Sequence, residues 1–299
     1  MPEQFKQNSA TISKYQGMEL KTEEDKRLFK KYAALGKKIT DNVAAKIGGV
    51  TTDSPEFWGL REVLSEEEVD VALTMKLRKW YTIEELFEMN KKQFTMARLK
   101  ELVDELSVHG LIEYDYGDFY NDDGPIPNSP AIKRYRISFF VPGSAELFNS
   151  SKDRVDKAPP VASFFERMTF LPLEHITSMV PPGGDGIGMH VIPVEKEVQA
   201  SPESVKLEKI SYWLKKYEGH IGVGLCSCRH VRQVLGEGCG DDYQSWCIGV
   251  GDFADYCRET GMGHDITYDE AMDILRKAEK LGYVHQITNI DGENKIYGI

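Results

Sequence analysis

The chain of 299 residues is 41% hydrophobic and 28% charged, ordinary usage for a globular protein and room for about two domains. Its formal net charge of −11 argues against a surface built as a whole to hold a polyanion. The opening Met1-Pro2-Glu3-Gln4-Phe5-Lys6 has no apolar h-region, and no run of about 18 apolar residues occurs, so the sequence predicts neither a secretory signal nor a membrane-spanning helix, and suits the cytoplasm.

The N-terminal region reads as helical. Thr22-Glu23-Glu24-Asp25 opens a charged periodic stretch carrying Leu28, Phe29, Tyr32, Ala33 and Leu35, with Gly36 as a point of interruption. A second helix is expected around Ile39 to Ile47, closed by Gly48-Gly49. Ser65-x-x-Glu68 and Thr82-x-x-Glu85 are capping boxes ahead of apolar runs. Thr95 starts a third short helix with Leu99, Leu102, Val103 and Leu106 on one face, stopped by Gly110. Leu111 to Tyr116 and Arg134 to Val141 then read as two strands joined by a loop rich in Gly, Pro, Asn and Asp. Three helices and a two-stranded wing make a winged helix.

A winged helix suggests DNA binding, and the charges argue against it. The candidate recognition helix, Thr95 to His109, mixes Arg98 and Lys100 with Glu101, Asp104 and Glu105. Lys133, Arg134 and Arg136 on the wing do not extend into a continuous basic stripe. The domain reads better as a protein–protein or interdomain packing module, without nucleic acid as a partner.

Ser150 to Pro160 is polar and ends in Pro-Pro, as a linker does, and Phe164 to Leu173 is an apolar, aromatic packing segment. The run Pro181-Pro182-Gly183-Gly184-Asp185-Gly186-Ile187-Gly188 is rich in glycine but does not match G-x-G-x-x-G, and it follows Pro-Pro instead of a strand. It reads as a structural turn ahead of a strand at His190 to Val194. Lys206 to Tyr217 is an amphipathic helix that delivers the chain to its cysteines.

All five cysteines lie between Cys226 and Cys257. Cysteine used as a small core hydrophobe would be scattered, so the clustering points to a metal, an iron–sulfur cluster or disulfides. A reducing cytosol and an odd count weigh against disulfides. Ile221 to Leu225 is expected to be extended, which would let Cys226 and Cys228 face one centre together, with Cys239 and Cys247 closing a four-thiolate site. Gly236, Gly238 and Gly240 would wrap backbone N–H groups around it, and Arg229, His230 and Arg232 would bring positive charge beside the thiolates. The spacing C-x-C-x10-C-x7-C matches neither the bacterial ferredoxin run nor the paired knuckle of structural zinc, which leaves both metals open. His220, His230, His264 and His285 lie near in sequence and read as structural. Cys257, in an expected helix Asp252 to Thr260, reads as packing.

Thr267-x-x-Glu270 caps another helix, with Ala271, Ile274, Leu275 and Ala278 on one face and a stop at Gly282. A strand from Tyr283 and a turn at Asp291-Gly292 lead to Lys295 to Ile299, which is expected to pair back as a hairpin.

These blocks together carry a resemblance. Pro181 to Glu195, then Cys226-Ser227-Cys228-Arg229, Gly236-Glu237-Gly238-Cys239-Gly240, Cys247-Ile248 and His285-Gln286-Ile287-Thr288-Asn289 resemble the N-terminal module of a family of large oxidoreductases from anaerobic bacteria. These are iron–sulfur flavoproteins of the pyridine nucleotide–disulfide oxidoreductase class. The resemblance covers Phe164 to Ile299 well and the N-terminal half loosely. It implies iron–sulfur binding by Cys226, Cys228, Cys239 and Cys247, with Cys257 outside the set. It also implies electron transfer with a flavin and NAD(P) region elsewhere. Members of the family continue beyond the equivalent of Ile299 into further cysteines and then FAD- and NAD(P)-binding domains, so those cofactors are expected on a partner or a further domain.

The resulting expectation is an α+β chain with a winged-helix-like N-terminal half followed by a cysteine-rich iron–sulfur module on a helix–hairpin scaffold. The divisions are 1–150 for the helical and winged-helix-like domain, 151–205 for the linker and Gly/Pro-rich packing segment, and 206–299 for the cysteine-cluster domain. The expected function is a 4Fe-4S electron-transfer module of a larger flavin- and NAD(P)-linked oxidoreductase. The alternative is a zinc-stabilised winged-helix regulatory or protein-interaction module. No Ser/His/Asp arrangement, dinucleotide fingerprint or carboxylate pair stands out, so no catalytic residue is assigned to this chain.

Overall fold

The structure is a computed structural model that describes residues 11–40, 49–77, 79–117, 120–121, 124–125, 132–138, 143–169, 188–191, 209–238, 240, 245–289 and 299. The architecture is α+β: helices with small antiparallel sheets. The chain divides into two compact units that interleave along the sequence. Unit one comprises Met1–Glu113, Tyr135–Met179 and Ser227–Tyr243; unit two comprises Tyr114–Arg134, Val180–Cys226 and Gln244–Ile299.

Unit one begins with α1 (Glu23–Ile39), whose N-cap Thr22 and Asp25 form a capping box. Acidic residues fill its first turn and Lys37 and Lys38 its last, which complements the helix dipole. The helix runs through Gly36 instead of breaking there. A Cβ at Gly36 would stand 2.2 Å from the Glu56 carbonyl oxygen, so the glycine serves a close helix crossing. The element crossed is α2 (Pro55–Val63), which the apolar pattern did not announce. It is short and buries Phe57, Trp58 and Leu60, so no polar face marks a period. The helix expected around Ile39 to Ile47 lies, beyond Thr40, outside the described residues.

The three capped helices follow as α3 (Glu66–Thr74), α4 (Ile83–Asn90) and α5 (Met96–His109). Both expected boxes form, Ser65 with Glu68 and Thr82 with Glu85. Gly110 ends α5 in the left-handed conformation, at φ 86°. Leu86, Leu99, Leu102 and Leu106 are fully buried. After α5, β1 (Ile112–Asp115) pairs with β4 (Arg134–Ile137), and short strands β2 (Tyr120–Asn121) and β3 (Gly124–Pro125) pair with each other. Tyr81 and Tyr135 form an isolated antiparallel bridge.

Residues 145–169, which run from the end of the expected first domain into the expected linker, contribute helices to unit one. These are α6 (Ala145–Leu147), α7 (Lys152–Lys157) and α8 (Pro160–Thr169). Phe164, expected to pack, is fully buried, stacked on Phe148 and edge-on to Trp58. The glycine run before Gly188 lies outside the described residues.

Unit two is organised on a three-stranded antiparallel sheet. Its central strand β6 (Ile221–Gly224) lies between β7 (Cys247–Val250) and β8 (Gly263–Asp265). Trp213 and Leu214 from α9 (Ile210–Lys216) share a core with Ile221, Val223, Ile248 and Leu275. Leu275 comes from α12 (Tyr268–Lys280), which opens with the expected Thr267–Glu270 box. A second pair of strands, β5 (Gly188–Val191) and β9 (Gln286–Asn289), is antiparallel with Val191 opposite Gln286. Strand β9 is paired about a hundred residues upstream, and Ile299 exchanges two backbone hydrogen bonds with Ile248 of β7; the return strand of the expected hairpin falls on undescribed residues. Residues 290–298 lie outside the described residues.

Candidate functional site

The cysteines hang from β6 and β7. Gly224 closes β6 and stands opposite Cys247, the first residue of β7, and Trp246 donates its backbone N–H to the Gly224 carbonyl at 3.1 Å. Glycine is required at 224 by packing, because a Cβ there would stand 2.5 Å from the Met262 carbonyl oxygen. Cys247, exposed, thus opens β7 at the end of the sheet from which the chain leaves for half-buried Cys226.

The extended run does not reach Cys228. Helix α10 (Ser227–Val234) begins directly after Cys226, and Cys228 sits exposed in its first turn. The expectation that Cys226 and Cys228 align as alternate residues of a strand is corrected accordingly. Ser227 is buried, as are His230 and Val231 one turn later, and this buried face commits the segment to a helix. A thiol at a helix N-terminus ionises more readily, since the unsatisfied N–H groups favour negative charge. Cys228 falls in unit one, Cys226 and Cys247 in unit two.

Cys239 lies outside the described residues. Gly236 and Gly240 on either side of it adopt φ of 76° and 83°, turns that only glycine makes without strain. Cys257 is half-buried in α11 (Asp252–Glu259), where a helix was expected. Cys226, Cys228, Cys247 and Cys257 are not joined in disulfides. Among the described residues, no group of three or more His, Cys, Asp and Glu side chains is placed to hold a metal ion.

Two of the three basic residues expected beside the thiols are otherwise placed. His230 is buried on the inner face of α10, and burial pushes its pKa below the usual histidine value. Arg232 is paired with Glu237 at 2.6 Å. His220, His285 and His264 follow in unit two. His220 Nδ1 lies 3.0 Å from Asp255, and this hydrogen bond raises its pKa. His285 is buried and its pKa lowered by that burial, and His264 is exposed on β8.

Unit two also holds a polar cluster that no sequence signal announced. Glu259 accepts hydrogen bonds from the Tyr114 and Tyr116 hydroxyls and from Lys133 Nζ, the last at 3.2 Å. Burial alone would raise the Glu259 carboxyl, but these three donors outweigh it and hold it below the usual range. Lys133 Nζ also stands 3.6 Å from the centre of the Tyr114 ring, and Tyr256 packs edge-on against the same ring. The partners are more than a hundred residues apart in the chain, which is why no local pattern reveals them.

No family model, curated protein or solved structure matches this chain. No helix among the described residues is long and apolar enough to cross a membrane.

Proposed function

We propose that this chain is an iron–sulfur electron-transfer module, with Cys226, Cys228, Cys239 and Cys247 as the ligands of a 4Fe-4S cluster and with a flavin- and NAD(P)-binding domain or subunit as its redox partner. The observation that carries the reading is the confinement of all five cysteines to the stretch between Cys226 and Cys257. Among the described residues Cys226, Cys228 and Cys247 are not gathered into a group placed to hold a metal ion, so the reading rests on that confinement together with local features of the segment. Cys226 and Cys247 leave the same end of one sheet, Cys228 stands at a helix N-terminus that favours thiolate, and glycines with positive φ flank position 239. The four described cysteines are unbridged and so retain thiolate chemistry, the donor type that soft iron and zinc centres take. Bound there, the cluster would supply one-electron transfer. This chain's residues would hold it through sulfur and set its surroundings.

In this reading α3, α4, α5 and the β1–β4 ribbon are a winged helix used for packing instead of DNA recognition. Four of its cationic side chains are already engaged. Arg98 lies between Glu67 at 2.7 Å and Glu101 at 2.9 Å. Arg134 is paired with Asp115, Arg136 with Glu113, and Lys133 with Glu259. A phosphate backbone would have to displace those carboxylates.

The test is metal and acid-labile sulfide analysis on protein purified without oxygen. The proposal expects brown protein with about four iron and four sulfide per chain and an EPR signal after dithionite reduction. Colourless protein with stoichiometric zinc and no sulfide would refute it and establish the zinc-stabilised alternative.

A further inference from the structure

The cluster around Glu259 has no part in the thiol chemistry, and it is built as a binding site is built. Tyr114 in β1 and Tyr116 just past its end alternate along extended backbone, so their side chains share a face. Lys133, just ahead of β4, brings its Nζ to the same place, 3.6 Å from the centre of the Tyr114 ring and 5.9 Å from that of Tyr116. Two phenol hydroxyls and one ammonium then converge on a single carboxylate. Glu259, the last residue of α11, accepts from Tyr114 at 2.8 Å, from Tyr116, and from Lys133 at 3.2 Å. All four side chains belong to unit two.

The donors are positioned by contacts other than the carboxylate. Tyr114 is buried and packs edge-on against fully buried Tyr256, with ring centres 5.0 Å apart. The Tyr116 ring lies edge-on to Tyr114 at 6.2 Å, and its backbone N–H is donated to Asp252 Oδ1 at 3.4 Å. Lys133 sits against the Tyr114 ring as a cation on a π system. Its neighbour Arg134 makes a two-point pair with Asp115, through Nε at 3.0 Å and Nη2 at 2.8 Å, which ties the end of β1 to the start of β4. The acceptor, by contrast, lies at the surface, with its side chain 31% exposed. Arg258 stands 3.5 Å from it and has closer contacts with Asp255 at 2.9 Å and Asp265 at 3.2 Å.

We propose that Tyr114, Tyr116 and Lys133 form a carboxylate-binding site that Glu259 fills from within the chain, as a latch holding the ends of β1 and β4 on α11, and that a free carboxylate takes the same place when the Glu259 side chain is withdrawn. The ligand class follows from the donors. One ammonium balances one negative charge, and the ammonium with two hydroxyls matches the lone pairs of a carboxylate, which accepts several such bonds at once. The latch is independent of the metal reading, since none of its residues is a proposed ligand.

The experiment is hydrogen exchange by mass spectrometry on the full chain, comparing peptides that cover Tyr114 to Gly117 and Lys133 to Arg134 with peptides from α5. Glu259→Ala should speed exchange at the latch at least about tenfold, the change in local opening that one net hydrogen bond controls, and leave α5 unchanged. Sodium acetate at about 0.2 M should reverse most of that increase, whereas sodium chloride at the same ionic strength, which screens charge equally, should not. Adding Lys133→Met to Glu259→Ala should abolish the acetate effect. Latch exchange that is unchanged in Glu259→Ala would overturn the proposal. If exchange rises throughout the chain instead, acetate still decides: protection restored by acetate and not by chloride sustains the site, and equal effects of the two salts overturn it.

Discussion

Replacing Glu146 with glutamine should stabilise the protein above neutral pH and leave it unchanged in acid. Glu146 lies in α6 and accepts the Gly143 N–H at 2.7 Å. Burial pushes its carboxyl up to about 7, against an ordinary value of 4.5. A carboxyl whose folded pKa is raised is favoured as the acid by the fold. Its cost is absent below about pH 4.5, where both states are protonated, grows between about 4.5 and 7, and is constant above. At about 1.4 kcal/mol for each pH unit the ceiling is roughly 3 kcal/mol. Glu146 keeps partial contact with solvent, and screening reduces the expected effect to about 1–2 kcal/mol. Glutamine has nearly the same shape, carries no charge, and its carbonyl can accept the Gly143 N–H. Urea denaturation of both proteins at about pH 5, 6, 7 and 8 measures the difference. A stability gain that appears only as the pH rises supports the reasoning. Equal differences at all four pH values, or a loss at pH 8, would show that the native state does not penalise the ionised carboxylate.

Cys239→Ala should lose most of the bound iron, as should alanine at Cys226, Cys228 or Cys247, while Cys257→Ala retains it; iron analysis of the five variants decides the ligand set. The full chain should bind duplex DNA with a Kd of roughly 10⁻⁴ M or weaker at physiological salt, and a sub-micromolar mobility shift would show that the α5 and β4 cations are available after all. The His220–Asp255 contact raises the histidine pKa above 6.5, so its contribution is complete below about pH 6.5 and lost as pH rises through the folded value. With the ring partly exposed the effect should stay under about 1 kcal/mol, and His220→Gln should flatten that part of the stability profile. Gly224→Ala drives a Cβ against the Met262 carbonyl and should cost about 1–3 kcal/mol in urea denaturation; an unchanged midpoint would mean that β6 and β8 separate freely.

Local chemistry was legible in the residues themselves. The boxes at Ser65, Thr82 and Thr267 formed where the S/T-x-x-E pattern placed them, and Gly110 closed α5, because a cap is satisfied within four residues of its own helix. The buried face of α12 and the helix around Cys257 were readable for the same reason. Tertiary structure decided whatever depended on a distant partner. Gly36 looked like a helix break and is a crossing point for Glu56. Cys228 looked like strand and became helix once Ser227, His230 and Val231 were buried. Strand β9 found a partner in β5, about a hundred residues upstream. Glu259 gathered Tyr114, Tyr116 and Lys133 from more than a hundred residues away. The physical reason is common to all four. Backbone caps and turns are paid for locally, whereas strand pairing, close crossings and buried polar clusters gain free energy only from groups that the chain brings together on folding.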